Sequence, residues 1–292
     1  MLPIGTAAAI ISIIFWTIAS TISKKISRGL GANLVTFLYL AVSIVPIAIG
    51  TVAVGAYSIP MAGTLLAVLA GLFLSLGFIS TFKALTTEHL SSVIAVSEIY
   101  PVVFVLFGIL VLGQTINEIQ LVGMAVVFAG AAMIITTEKL RLNKMMVPAV
   151  IGAVSWTIYW IIMTYSIHSA GTFALPILIS RVVGIPFAIV FLLRNRNAVS
   201  DLKLLGKKLK TSRTVMVLVV LTIIASFSDA VGDTVFGITI GSSVLVIGAA
   251  LVALQPMVVS FFGFLFYKEK LTRVQFLGLA AMFAGAFVLS VL

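Results

Sequence analysis

Nearly charge-free apolar runs of about twenty residues recur along the whole of this chain, and each could cross a hydrocarbon core about 30 Å thick. Charged residues make up 9% of the 292, against roughly 25% in soluble domains, so there is too little polar surface to cover a water-facing globule. Strands of about ten residues with alternating polarity, the mark of a spanning barrel, are absent. What remains in lipid is a bundle of helices, each closing its own backbone hydrogen bonds. The candidate spans are 3–23, 33–54, 62–85, 91–112, 119–137, 147–166, 172–193, 214–236, 244–266 and 272–291. The expected class is an all-α membrane protein of ten transmembrane helices.

Other chemistry is narrowed quickly. The chain has no cysteine, which excludes disulfides, thiolate metal sites and cysteine nucleophiles. His89 and His168 fall in short polar connections, where a lone imidazole is ordinarily solvated. The net charge of +10 is confined to particular loops, so it speaks of lipid topology rather than of a nucleic-acid partner. No metal or other cofactor is expected. Residues 3–23 have no basic stretch before them, and Lys24, Lys25 and Arg28 follow. A secretory signal has the opposite charge order, so the first span is expected to be retained.

The most informative pattern is internal repetition. With an offset of 155, Pro101 to Ala131 falls on Pro256 to Ala286 without a gap, and FAGA at 128–131 recurs at 283–286. An offset of 140 lays Trp16-Thr17-Ile18 on Trp156-Thr157-Ile158 and Pro46 on Pro186. Most of the difference between the offsets is a basic stretch, 194–213. Its Leu202, Leu205 and Leu209 have helical spacing, which suits either a short helix on anionic headgroups or a solvated loop. The organisation expected is therefore a five-helix repeat over 1–137, a second over 147–292, and a basic loop over 194–213 within the second. Because five is odd, the second repeat must enter the membrane from the opposite face, which inverts the halves about an axis in the membrane plane. Inverted repeats are a common plan of secondary transporters, whose substrate sites lie near mid-membrane between them.

Seventeen of the eighteen lysines and arginines sit at the ends of odd-numbered spans, and the even-numbered connections carry none. The positive-inside rule then puts the odd connections in the cytoplasm and both termini outside, in a multi-pass protein of the plasma or inner membrane.

These landmarks resemble the drug/metabolite transporter superfamily, its ten-helix EamA-like exporters in particular. The residues carrying the resemblance are Trp16 and Trp156, Pro101 and Pro256, and the glycine sets Gly108/Gly123/Gly130 and Gly263/Gly278/Gly285. The resemblance implies two inverted five-helix repeats around a cavity lined by spans one, three, four, six, eight and nine, and export of amino acids or other small metabolites. In much of that family the termini are thought to be cytoplasmic, whereas the charge pattern here gives the reverse.

Ionisable groups inside a span are costly and are usually functional or paired. Five qualify: Lys83, Glu98, Arg181, Asp229 and Asp233. At about 1.5 Å of rise per residue, Arg181 and Asp229 lie at similar depth, which predicts an ion pair; Asp233 follows one turn along the same face. Lys83 and Glu98 could pair in the inner half. Such carboxylates could bind a substrate cation or carry a coupling proton, or the pairs could only fix helix register. Trp16, Trp156, Tyr159 and Trp160 lie too deep for interfacial anchors; they either pack or form a stacking wall for an amine or ring. Tyr100 and Gln255 precede prolines that free a backbone carbonyl, where polar contacts are useful. Gly63, Ala67, Gly71 and Ser75 make a small-residue ridge suited to close helix packing.

The function expected is secondary transport by alternating access, as an exporter of small metabolites such as amino acids or organic cations, with proton coupling as the drive to test. The partners expected are that substrate and the bilayer, with the protein a monomer or homodimer. The competing readings are a membrane enzyme acting on a lipid or diphosphate, suggested by Asp229-Ala-Val-Gly-Asp233, and a channel. The enzyme reading lacks the second acidic cluster that a metal-diphosphate site needs, and the channel reading lacks a filter or charge ring.

Overall fold

A computed structural model describes residues 3–97, 100–137, 146–242, 245–269 and 272–291. The described residues form thirteen helices: α1 (Ile4–Leu30), α2 (Ala32–Val54), α3 (Met61–Thr87), α4 (Leu90–Ser97), α5 (Tyr100–Leu110), α6 (Glu118–Thr137), α7 (Val147–Ala170), α8 (Ala174–Arg194), α9 (Arg196–Thr211), α10 (Arg213–Ile240), α11 (Leu245–Val252), α12 (Gln255–Tyr267) and α13 (Arg273–Val291). Helices outrun the apolar spans at the charged ends. The first continues seven residues past 23 to Leu30, because backbone bonding tolerates Lys24 and Arg28 and stops only at Gly31, where φ is 81°. Left-handed Gly55 and Gly171 end α2 and α7 in the same way. The fourth and ninth spans are each two helices, α4/α5 and α11/α12, with Pro101 and Pro256 second in the downstream piece, where a missing N–H costs nothing. The 194–213 stretch is largely α9, and Leu202 on it packs toward Leu34 and Leu192.

Among the described residues, eight segments are long and apolar enough to cross a membrane, the two broken spans among them, and the apolar parts of α6 and α13 are shorter. The exterior is correspondingly greasy: Leu110, Phe266 and Phe283 are each more than 60% exposed. Polar groups are instead buried, with Ser12, Ser23, Thr164 and Thr222 each donating to the carbonyl four residues back. That is how a hydroxyl satisfies itself without water.

The helices pair in a pattern that repeats across the two halves. The most extensive packings are α3 on α7, α1 on α10 and α6 on α13, and the first two correspond under the repeat. Small residues allow this. On α3, Gly63 lies against the Ser166 carbonyl, Gly71 against that of Ser180, and Ser75 Oγ donates to Gly184 at 2.7 Å, so the ridge is a packing surface for α7 and α8. Between α6 and α13 the contact is reciprocal. A Cβ on Gly130 would lie 2.6 Å from the Gly278 oxygen, and one on Gly285 2.6 Å from the Gly123 oxygen. With 123 beside 285 and 130 beside 278, the two helices run antiparallel.

The basic ends gather at one end of the bundle. Arg28 donates to Leu85 and Glu88 carbonyls, Asn33 to that of Phe191, and Gly29 touches Leu218, so the ends of α1, α3 and α8 meet the starts of α2 and α10. The cluster Lys139, Arg141 and Lys144 falls outside the described residues.

Candidate functional site

Asp229 and Asp233 are four residues apart on α10, which sets both carboxylates on one face toward α8. There Arg181, wholly buried, spans the pair: its Nη2 donates to Asp229 Oδ2 at 2.7 Å and also to Asp233 Oδ2. From α1, Trp16 Nε1 donates to Asp233 Oδ1 at 2.9 Å. The guanidinium carbon stands 5.0 Å from the centre of the Phe78 ring, a cation–π contact, while Arg181 Nε and Nη1 have no hydrogen-bond partner among the described residues. Two carboxylates against one guanidinium give the cluster a formal charge of −1 when both are ionised. Asp233, one turn along α10 from Asp229, is a full member of the cluster because one donor nitrogen bridges the turn between the two acids.

The cluster borders a cavity of about 50 Å³, room for a few waters, lined by Trp16, Ser20, Ser23, Tyr39, Phe78, Thr81, Phe82, Leu85, Ile94, Tyr100, Trp156, Trp160, Asp229, Asp233 and Gln255. Seven of the sequence candidates thus share one space: Trp16, Tyr100, Trp156, Trp160, Asp229, Asp233 and Gln255. Tyr159 does not line it; it is fully buried against Trp160, ring centres 4.8 Å apart, with no hydrogen-bond partner for its hydroxyl among the described residues. Glu98 lies outside the described residues, and the expected Lys83–Glu98 pair with it; Lys83 itself is exposed. Beyond Asp233 the rings of Trp16, Trp160 and Phe236 close on one another at 5.0–5.9 Å. Ser20 and Ser23 were missed, although spacings of four and seven residues place them on the helical face of Trp16. Tyr39, whose hydroxyl donates to the Ala225 carbonyl, gave no sequence signal.

A second ionic cluster lies next to the cavity-lining Ser23, toward the basic face. Lys24 Nζ, one residue past Ser23, lies 2.6 Å from Glu269 Oε1, and both side chains are buried. The same carboxylate caps the N-terminus of α4, accepting from Leu90 N–H at 2.9 Å, Ser91 N–H at 3.2 Å and Ser91 Oγ at 2.6 Å. Lys24 also stands 4.8 Å from the centre of the Tyr267 ring, and the Tyr267 hydroxyl donates to the Thr21 carbonyl. Burial alone would raise the Glu269 pKa; the hydrogen bonds from Lys24, Ser91 and Leu90 outweigh it and hold the carboxyl below its ordinary range.

Glu269 reaches that position through a turn that the first repeat also makes. At the end of α12, Lys268 takes a left-handed φ of 53° and Glu269 N–H bonds to the Gly263 carbonyl. At the end of α5, 155 residues earlier, Gly113 has φ 66° and Gln114 N–H bonds to Gly108. Gln114 Oε1 then accepts Val246 N–H at 3.0 Å, capping α11 as Glu269 caps α4. The two ends of the bundle therefore carry the same clasp, ionic at the basic end and a neutral amide at the other.

Two repeats of apolar helices with charge buried between them, and a polar cavity at that seam, define a multi-pass membrane transporter. The sequence profile of the EamA-like transporter family matches twice, over residues 3–136 and 143–291. The chain belongs to that family, within the drug/metabolite transporter superfamily. A solved structure titled only "Crystal structure of protein" superposes with a TM-score of 0.69 over 98% of this chain and 96% of that one. At 14% identity that likeness speaks for the fold alone. Comparison with curated proteins gave no match.

Proposed function

We propose that the chain is a ten-span secondary transporter whose inverted halves carry a small metabolite, an amino acid or organic cation, across the plasma membrane by alternating access, in the direction of export. The observation that carries the reading is the buried Arg181–Asp229–Asp233 cluster bordering an aromatic-walled cavity. Its formal negative charge suits a substrate ammonium or a proton, and Trp16, Trp156 and Tyr100 suit the rest of such a molecule. Binding at Asp233 would compete with the Trp16 N–H, coupling occupancy to the aromatic closure beyond it.

A cavity of about 50 Å³ is far smaller than an amino acid, so passage requires the halves to move. The Lys24–Glu269 clasp would latch the basic end, cytoplasmic by charge bias, and the Gln114–Val246 clasp the opposite end. The antiparallel contact of α6 with α13, equivalent helices of the two repeats, supports the inversion. The test is uptake into proteoliposomes from a panel of amino acids and organic cations, with and without a pH gradient. Saturable, gradient-driven flux that disappears in Asp229→Asn supports the reading. Flux indifferent to both removes it.

A further inference from the structure

At the basic end of the bundle, a groove of about 940 Å³ runs between the α1–α2 turn, the last turns of α3, the start of α7 and the end of α8. Its floor is apolar, made by Leu76, Ile79, Ile151 and Phe191. Ile151 is 47% exposed and Leu76 and Phe191 are partly exposed, with Ile79 buried beneath them, so the floor opens to the outer surface of the bundle. Along its rim stand Lys83 and Arg194, both exposed. Among the described residues, no carboxylate lines the groove and none lies within ion-pair distance of either cation. Lys83 sits four residues before the end of α3, about 6 Å in along the helix axis. An ammonium at that depth without a counter-charge is costly in a membrane.

From this combination we infer that the groove is a binding site for an anionic phospholipid of the surrounding leaflet, its phosphate between Lys83 and Arg194 and an acyl chain on Leu76, Ile79 and Ile151. The amphiphilic layout selects the lipid over a soluble anion, because a free phosphate would meet the two cations and leave the apolar floor uncovered. Charge selects an acidic headgroup over a zwitterionic one, since two basic groups face it with no carboxylate to meet a choline. The basic face is also where anionic lipid attracts cationic segments, and α9, with its exposed Lys203, begins two residues past Arg194. Walls from both repeats, α1–α3 on one side and α7–α8 on the other, meet around the same molecule.

The test is native mass spectrometry of the purified, delipidated full chain in neutral detergent, titrated separately with phosphatidylglycerol, phosphatidylcholine and inorganic phosphate. Phosphatidylglycerol should bind at least tenfold more tightly than phosphatidylcholine. Inorganic phosphate at matched concentration should not displace it. The double variant Lys83→Gln/Arg194→Gln should lose about thirtyfold in affinity, at about one tenfold step per 1.4 kcal/mol and about 1 kcal/mol per cation near a membrane surface. Ile151→Trp, which keeps both charges and fills the floor, should weaken the lipid as well. Equal binding of the two lipids, displacement by phosphate alone, or full affinity in either variant overturns the inference.

Discussion

Converting Glu269 to glutamine would make the clasp at the basic end a copy of the neutral one at the opposite end, and the consequence can be sized. Glutamine keeps an oxygen for the α4 amides but withdraws the counter-charge from Lys24, which is 4% exposed. Removing one partner of a buried ion pair costs roughly 3–5 kcal/mol. The Tyr267 ring beside Lys24 offsets part of that, so about 3 kcal/mol is a fair figure. If the pair exists only while the basic end is shut, that energy moves the open-to-shut ratio about a hundredfold. The absence of native cysteine gives a clean background for measuring it. Ser23→Cys places a thiol in the cavity beside the clasp, and a membrane-impermeant maleimide applied from the basic face reports opening as a labelling rate. Labelling should accelerate 30- to 100-fold in Glu269→Gln. Adding Lys24→Gln should reduce stability less than Glu269→Gln alone, because no orphan charge remains. A labelling rate within threefold of the parent, in protein inserted at normal levels, would refute the role of the clasp.

Three further outcomes are expected. The Glu269 carboxyl titrates below its ordinary value of about 4.3, so its contribution is complete above that value and is lost as pH falls through the depressed folded value. The difference in thermal stability between wild type and Glu269→Gln should therefore not shrink between pH 8 and 5 and should fall only below about pH 4; shrinkage already at pH 6 would contradict it. Asp229→Asn should cut transport at least tenfold with expression unchanged, read by proteoliposome flux, whereas the exposed Lys203→Gln should leave flux as it was. Gly130→Ala, whose Cβ would fall 2.6 Å from both the Gly278 oxygen and Met282 Cγ, should destabilise by about 1–3 kcal/mol. Gly206→Ala, with nothing within 4 Å and in mid-helix, should be neutral or stabilise by up to about 1 kcal/mol, and thermal unfolding in detergent compares the two.

Much of the fold was legible because lipid makes hydropathy decisive. Each apolar run coincides with a helix or a broken pair of helices to within about four residues, eight of them long and apolar enough to span, except where α1 continues through Lys24 and Arg28 to Leu30. Pro101 and Pro256 announced the two breaks through a local steric rule. The Arg181–Asp229 pair could be read from depth alone, since charges inside a span have few places to go. The Lys24–Glu269 pair could not. Both residues sit at span ends among other charges, 245 positions apart, and a terminal lysine reads as a topology marker unless the chain is known to fold back over it. The signal existed in another form. The ungapped offset of 155 already laid Lys268 on Gly113 and Glu269 on Gln114, two polar positions whose shared turn becomes visible only once φ is known. Tyr39 and Phe78 reach the cavity through tertiary packing, which no single-helix periodicity encodes.

The glycine seam between α6 and α13 has a consequence of its own. Because the two helices are one stretch of sequence used twice, and each meets the other through the same positions, the contact is self-complementary in the way a two-fold dimer interface is. A chain of half this length, inserted in both orientations, would find on a second molecule the surface that the fused protein finds on itself.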